Sequence, residues 1–294
     1  MKQNKGLGQI SSLIQLLTDR DEFVRSRIRD KLVELGEDSL PFLEIATRGE
    51  DESLRIQAQL VIQNILPNKL AEKFRQLALK GQGQDVDLEA GMMLIMEFGY
   101  PESNPEICRK KLDDLAQKLA EILDFNSAPQ EIVVVFSRFL FQKNRFKGNK
   151  YNYHNPDNSF INKVLENHTG LPITLSALCV LLAKRLGLPI VGVGMPGHYI
   201  VKYSLPIEPI YFDPFHEGRL LTKSECIKIV EQSGYQFAEH FLSQSTQRET
   251  LVRMLNNLIQ VYKNSNQKKK AETLLEYVKI LLNPSTNKPS EITR

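Results

Sequence analysis

Residues 169–213 constrain the fold more than any other part of the chain. The apolar run Pro172-Ile-Thr-Leu-Ser-Ala-Leu-Cys179-Val-Leu-Leu-Ala-Lys-Arg-Leu186 is long enough for a helix and closes on Gly187-Leu188-Pro189, a glycine stop followed by a proline. Val191-Gly-Val-Gly-Met-Pro-Gly197 then leads into His198, which heads an alternating strand of Tyr199, Val201 and Tyr203. A second strand, Tyr211-Phe-Asp213, ends at Pro214, a residue that cannot continue a sheet ladder. Two short successive strands after a helix predict a small antiparallel sheet packed on that helix, in a chain that is otherwise mostly helical. That is an α+β fold.

At 294 residues, with 41% hydrophobic and 25% charged residues, the chain is ordinary for a globular protein of about two domains, or one with extensions. A net charge of +3 is too small to imply a nucleic-acid partner. No apolar run approaches the roughly 20 residues of a membrane span, and Met1-Lys-Gln-Asn-Lys-Gly lacks the apolar core of a signal peptide. A cytoplasmic location without membrane contact is therefore expected. Cys108, Cys179 and Cys226 are odd in number and far apart, which fits reduced thiols rather than disulfides or a zinc cluster.

Residues 1–80 read as a short helical repeat. Asp21-Glu-Phe-Val-Arg25 lines up with Asp51-Glu-Ser-Leu-Arg55, Leu13 with Leu43 and Leu32 with Ile62. Each unit is expected to be two antiparallel helices in the manner of HEAT-like repeats, with Gly36 and Pro67 as stops. Such a pair is either a protein-binding ridge or a structural extension.

Residues 81–242 form the expected core region. The Met92-Met-Leu-Ile-Met96 cluster and Cys108 lie at helical spacing and read as core. A helix over residues 131–141 leads into a loop dense in Asn, Gly and aromatics, Asn149-Lys-Tyr151-Asn-Tyr153-His154-Asn-Pro-Asp-Asn158-Ser159. Such loops either wall a pocket or hold only themselves, and Asn158-Ser159 is placed to cap a helix over residues 160–166. Residues 243–294 read as a helical pair followed by a polar tail.

Phe146-x-Gly148-Asn149, Asn158-Ser159, Gly170-Leu-Pro172-Ile-x-Leu175, Gly187-Leu-Pro189, Pro196-Gly-His198 and Asp213-Pro-Phe215 together resemble the SirB-type family of bacterial transglutaminase-like proteins. Arg253-Met-Leu-Asn256-Asn257-Leu258, Tyr262 and a helix over 270–282 resemble the tetratricopeptide-like tail of that family. The resemblance covers about residues 85–284. It implies a papain/transglutaminase-like core with helical additions and a C-terminal helical pair, in a family whose molecular activity is poorly defined.

In active members of the wider superfamily a cysteine nucleophile opens the helix that ends in Gly-Ile-Pro, where the helix N-terminus favours a thiolate. The equivalent step here is Gly170-Leu171-Pro172, so proline holds the nucleophile slot. Cys179 lies seven residues on, about two turns or roughly 10 Å along the axis, on the apolar stripe of Leu175, Leu178, Leu182 and Leu186. Thr174 and Ser176 read as helix-start hydroxyls. His198 and Asp213 align with the general base and the residue that orients it.

Two readings stay open. One is a catalytically silent transglutaminase-like module that binds a protein or peptide, with Tyr153, Asn158, Pro172 and Gly197 as binding residues. The other is a hydrolase or acyltransferase using His198, Asp213 and an unexpected nucleophile such as Cys179 or an activated water. No cofactor is implied. No metal is implied either, since His154, His168 and His216 show no H-x-H or H-x-x-x-H spacing.

Overall fold

The computed structural model describes residues 2–81 and 84–284. Met1, Gln82, Gly83 and the polar tail from Ser285 onward lie outside the described residues. The chain divides into two units, Met1–Lys73 and Phe74–Arg294.

The first unit is helical: α1 (Lys2–Gln15), α2 (Glu22–Leu35), the short α3 (Leu40–Ala46) and the start of α4 (Glu52–Lys80). Leu17, Leu32, Leu43, Ala58, Val61 and Ile65 form its core. The thirty-residue alignment has a physical counterpart. Arg25 Nη1 donates to the carbonyls of Asp19 and Arg20 at 2.5 and 3.2 Å, and Arg55 Nη1 donates to those of Gly49 and Glu50 at 2.9 and 3.1 Å. Asp21 and Asp51 each accept from a backbone N–H in the helix that follows. Each arginine thus ties its helix to the loop before it. Pro67 does not stop a helix, because α4 runs through it. A proline inside a helix removes one backbone donor, and the residues on either side of Pro67 keep helical geometry.

The second unit continues with α5 (Leu88–Gly99), α6 (Pro105–Ala120) and α7 (Pro129–Ser137). Asp87 and Asn104 cap α5 and α6 through bonds to Ala90 N and Glu106 N. The expected helix over 131–141 is α7 followed by a wider π turn, Arg138–Lys143, which leads into β1 (Lys147–Gly148). A 3₁₀ turn, Pro156–Ser159, precedes α8 (Ile161–Asn167), and β2 (Thr169–Gly170) pairs in parallel with β1. Phe160, not Asn158-Ser159, occupies the N-cap of α8, and no side chain caps it. The Asn158 side chain is instead turned back into its own loop, where buried donors and acceptors have to be paired.

The helix α9 (Pro172–Leu186) is the centre of this unit. Leu171 is its N-cap, Pro172 opens it, and Gly187 ends it in the left-handed region at φ +66°. Residues 171–179 and 181–183 are all buried, so the helix is covered on every side over its first two turns. At its exposed end Arg185 pairs with both oxygens of Glu89 at 2.7 and 3.1 Å and with Asp113 at 2.7 Å, tying α9 to α5 and α6.

Four antiparallel strands follow in the order β3 (Ile190–Met195), β4 (His198–Tyr203), β5 (Ile210–Asp213) and β6 (Arg219–Leu221). The β3–β4 register pairs Met195 with His198 and Ile190 with Tyr203, leaving Pro196 and Gly197 as the hairpin turn. Gly197 has φ +73°, which a proline-glycine turn of this kind needs. One sheet face carries Val193, Met195, Ile200 and Tyr211 against Cys226 and Val230 of α10 (Lys223–Gln232). Tyr199 lies on the other side, its hydroxyl 2.7 Å from Thr250 Oγ1 in α11 (Gln247–Asn264). The alternation along β4 therefore serves two layers of helix.

The last helices, α11 and α12 (Lys268–Leu282), pack along one another. Capping boxes open α10 at Thr222/Glu225 and α11 at Thr246/Glu249. Asp85 accepts from Gln247 N and Arg248 N, so the loop before α5 is joined to the first turn of α11.

Two expectations follow. Leu182 is fully buried in α9, and Leu182→Ala leaves a cavity that costs about 2 to 5 kcal/mol in chemical denaturation. A β-carbon on Gly148 would lie 2.4 to 2.6 Å from the Phe215 ring, so Gly148→Ala displaces that ring. It costs about 1 to 3 kcal/mol in denaturation and shifts the ring protons of His216, whose ring is 5.3 Å from Phe215.

Candidate functional site

The antiparallel register brings the first residue of β4 and the last residue of β5 to the same end of the sheet. There His198 Nε2 lies 2.7 Å from Asp213 Oδ2. Asp213 is 2% exposed and also serves as N-cap of the 3₁₀ turn Pro214–His216. Its Oδ1 accepts from Phe215 N at 2.9 Å and His216 N at 3.3 Å. Its Oδ2 also accepts from His216 Nδ1 at 2.7 Å. Burial alone would raise the Asp213 pKa. The hydrogen bond and charge of His198, then those of His216, outweigh it and hold the carboxyl below its usual range.

An ionised carboxylate only accepts, so the ring nitrogens facing it, His198 Nε2 and His216 Nδ1, carry the hydrogens. In neutral His198 the lone pair is then on Nδ1, which makes no hydrogen bond among the described residues. An imidazole held in this way by a carboxylate has the geometry that a base requires. The His198 ring is mostly covered, with Phe215 edge-on at 6.3 Å and His216 at 5.8 Å. Its backbone carbonyl accepts from Arg253 Nη2 at 2.9 Å, and that guanidinium also sits 5.5 Å from the centre of the Tyr199 ring.

The remaining expected residues are distributed as follows. Pro172 is buried in the first turn of α9. Cys179 is two turns further along, fully buried, and makes no hydrogen bond with His198. Burial pushes the Cys179 thiol far up, and pushes the Cys226 thiol up to about 12. Cys108 is also buried and its pKa is raised by burial. Thr174 and Ser176 are fully buried; Thr174 Oγ1 has no hydrogen-bond partner among the described residues, and Ser176 Oγ donates to Tyr199 O over a long 3.4 Å.

Asn158 spends its side chain on its own loop. Nδ2 donates to the carbonyls of Asn152 at 2.7 Å and Tyr153 at 3.1 Å, and Oδ1 accepts from Asn149 Nδ2 at 2.9 Å. Its carbonyl accepts from Leu171 N at 3.1 Å, which fastens the loop to the start of α9. Tyr153 is 40% exposed with its ring edge-on to Phe215 at 5.9 Å, so it stands beside the ring that touches His198. Gly197 lies against Ser233, the C-cap of α10, where an added β-carbon would be 2.2 Å from Oγ.

Sequence reasoning did not pair His216 with Asp213, or Arg253 with His198. The first had a readable signal: Asp213-Pro-Phe-His216 places the two side chains three residues apart across a proline, a spacing that a 3₁₀ turn aligns. Arg253 is 55 residues from its partner, and nothing local announces the bond.

Residues 106–256 match the model of the transglutaminase-like superfamily. A UPF0162 protein of Xylella fastidiosa (strain 9a5c) is 31% identical over 191 residues, covering 63% of this chain and 68% of that protein. A UPF0162 protein of Vibrio cholerae is 26% identical over 132 residues, 45% of this chain and 49% of that protein. F-box only protein 21 of Mus musculus is 28% identical over 141 residues, 45% of this chain but 22% of that protein. No solved structure matches the chain. The matched stretch contains α9, the His198 strand and Asp213, and the chain belongs to the transglutaminase-like superfamily.

Proposed function

We propose that this chain is a transglutaminase-like module that does no thiol chemistry and binds a protein or peptide. The observation that carries the reading is Pro172 in the first turn of α9, with all three cysteines buried. A thiol nucleophile needs exposure and a lowered pKa, and the local environment of each cysteine raises it. The finer placement in the SirB-type family rests on the motifs from Phe146 to Phe215. HEAT-like helices in the first 80 residues and the tetratricopeptide-like pair of α11 and α12 supply helical surface for a partner. A cytoplasmic location suits three free thiols. Among the described residues no helix is long and apolar enough to cross a membrane.

The open Nδ1 of His198 favours a second reading, in which the His198–Asp213 pair activates a water for hydrolysis of an ester or amide.

The thiols give the first test. Raised pKa values mean that the buried neutral thiols contribute their full stability below the unfolded value of about 8.5 and lose it only as pH rises above that value. Native alkylation at pH 7 to about 8 is therefore negligible, and all three cysteines react once the chain is denatured. Rapid native labelling that Cys179→Ala abolishes would overturn the proposal. The second test incubates the full chain with a library of short peptides and follows binding and cleavage by anisotropy and mass spectrometry. Binding without turnover is expected; turnover lost in His198→Ala establishes the hydrolase instead.

A further inference from the structure

We propose that His198, Asp213 and His216 form a binding site for a first-row divalent cation of the zinc type. The site is independent of the thiol question and of any peptide partner. His198 Nε2 and His216 Nδ1 each lie 2.7 Å from Asp213 Oδ2, and the three donor atoms all lie within 4.8 Å of one another. Two imidazoles and one carboxylate are a ligand set that zinc, cobalt and nickel accept.

The size of the gap decides whether an ion fits. With metal–ligand distances of about 2.0 to 2.1 Å, a tetrahedral ion holds its ligand atoms about 3.3 Å apart. Each nitrogen–oxygen separation must therefore widen by roughly 0.6 Å, more than the about 0.2 Å within which such sites hold their distances, so a ring has to move for an ion to enter. His216 can supply the movement, since its side chain is 48% exposed at the end of a short turn. The other two ligands are fixed. Asp213 Oδ1 is held by two backbone N–H groups, which presents Oδ2 as a single donor, and the backbone at His198 is held by Arg253. Hydrogen bonds of this kind to a ligating carboxylate orient it for the metal.

Binding has a chemical consequence at His198. The hydrogen now on Nε2 must leave to free that lone pair for the ion, and in the neutral ring it is carried on Nδ1, exchanged through solvent. The open nitrogen changes from acceptor to donor. A bound cation and a general-base role for His198 are thus mutually exclusive. Three protein ligands leave one tetrahedral position for water or for an anionic group of a bound partner.

The test uses the full chain stripped with a chelator and desalted, then titrated with Zn²⁺ by calorimetry and with Co²⁺ by its visible absorption. A single ion per chain with tetrahedral cobalt absorption is expected. His198→Ala and His216→Ala each weaken binding by more than about tenfold, the scale of losing even an outer partner of a metal site. His154→Ala, on the neighbouring loop, leaves it unchanged. Should His198→Ala fail to fold, His216→Ala decides, because that side chain is half-exposed and circular dichroism reports its fold directly. The inference is overturned if the wild-type chain takes up no stoichiometric ion, or if His216→Ala binds as tightly as wild type.

Discussion

The second unit depends on the burial of α9. A helix buried on every face over its first two turns cannot sit at a surface, so it needs a partner in every direction. Strands β3 and β4 cover one side, α6 another, and the turn after Asp213 and the loop from Asn149 to Asn158 close over its beginning. The same requirement leaves Cys179, Thr174 and Ser176 without access to solvent. Burial that serves the core so completely leaves the reactive capacity of the fold to the strand ends.

At those strand ends a single carboxylate organises the chemistry. Asp213 accepts four hydrogen bonds, two from the backbone of its own turn and two from imidazoles on different elements. Each bond favours the ionised form, and ionisation in turn fixes the tautomers of both rings. Removing the carboxylate would free the turn, His198 and His216 together, because their arrangement is one network and not three contacts.

Much of this was legible in residues close in sequence. The largely apolar run ending in Gly187-Leu188-Pro189, the alternation after His198 and the stop at Pro214 carry their own physical signals, as does the Arg25/Arg55 repeat. The His198–Asp213 pair followed from a resemblance, and the strand register brings the two together. Illegible features were of two kinds. Pro67 stands inside α4, and Phe160 caps α8 while Asn158 bonds within its own loop, each against the local preference of the sequence. The bonds from Arg253 to His198 and from Tyr199 to Thr250 cross more than fifty residues, where one sequence contains no pairing information.

Those two long-range bonds bind α11 to adjacent residues of β4: Arg253 donates to the carbonyl of His198, and Thr250 pairs with the hydroxyl of Tyr199. The C-terminal helices are thereby mechanically in series with the imidazole. The strand that carries the imidazole at its first position is thus fastened to a helix that packs along α12, and the backbone beneath the His198 ring is set by the C-terminal helices as well as by the sheet.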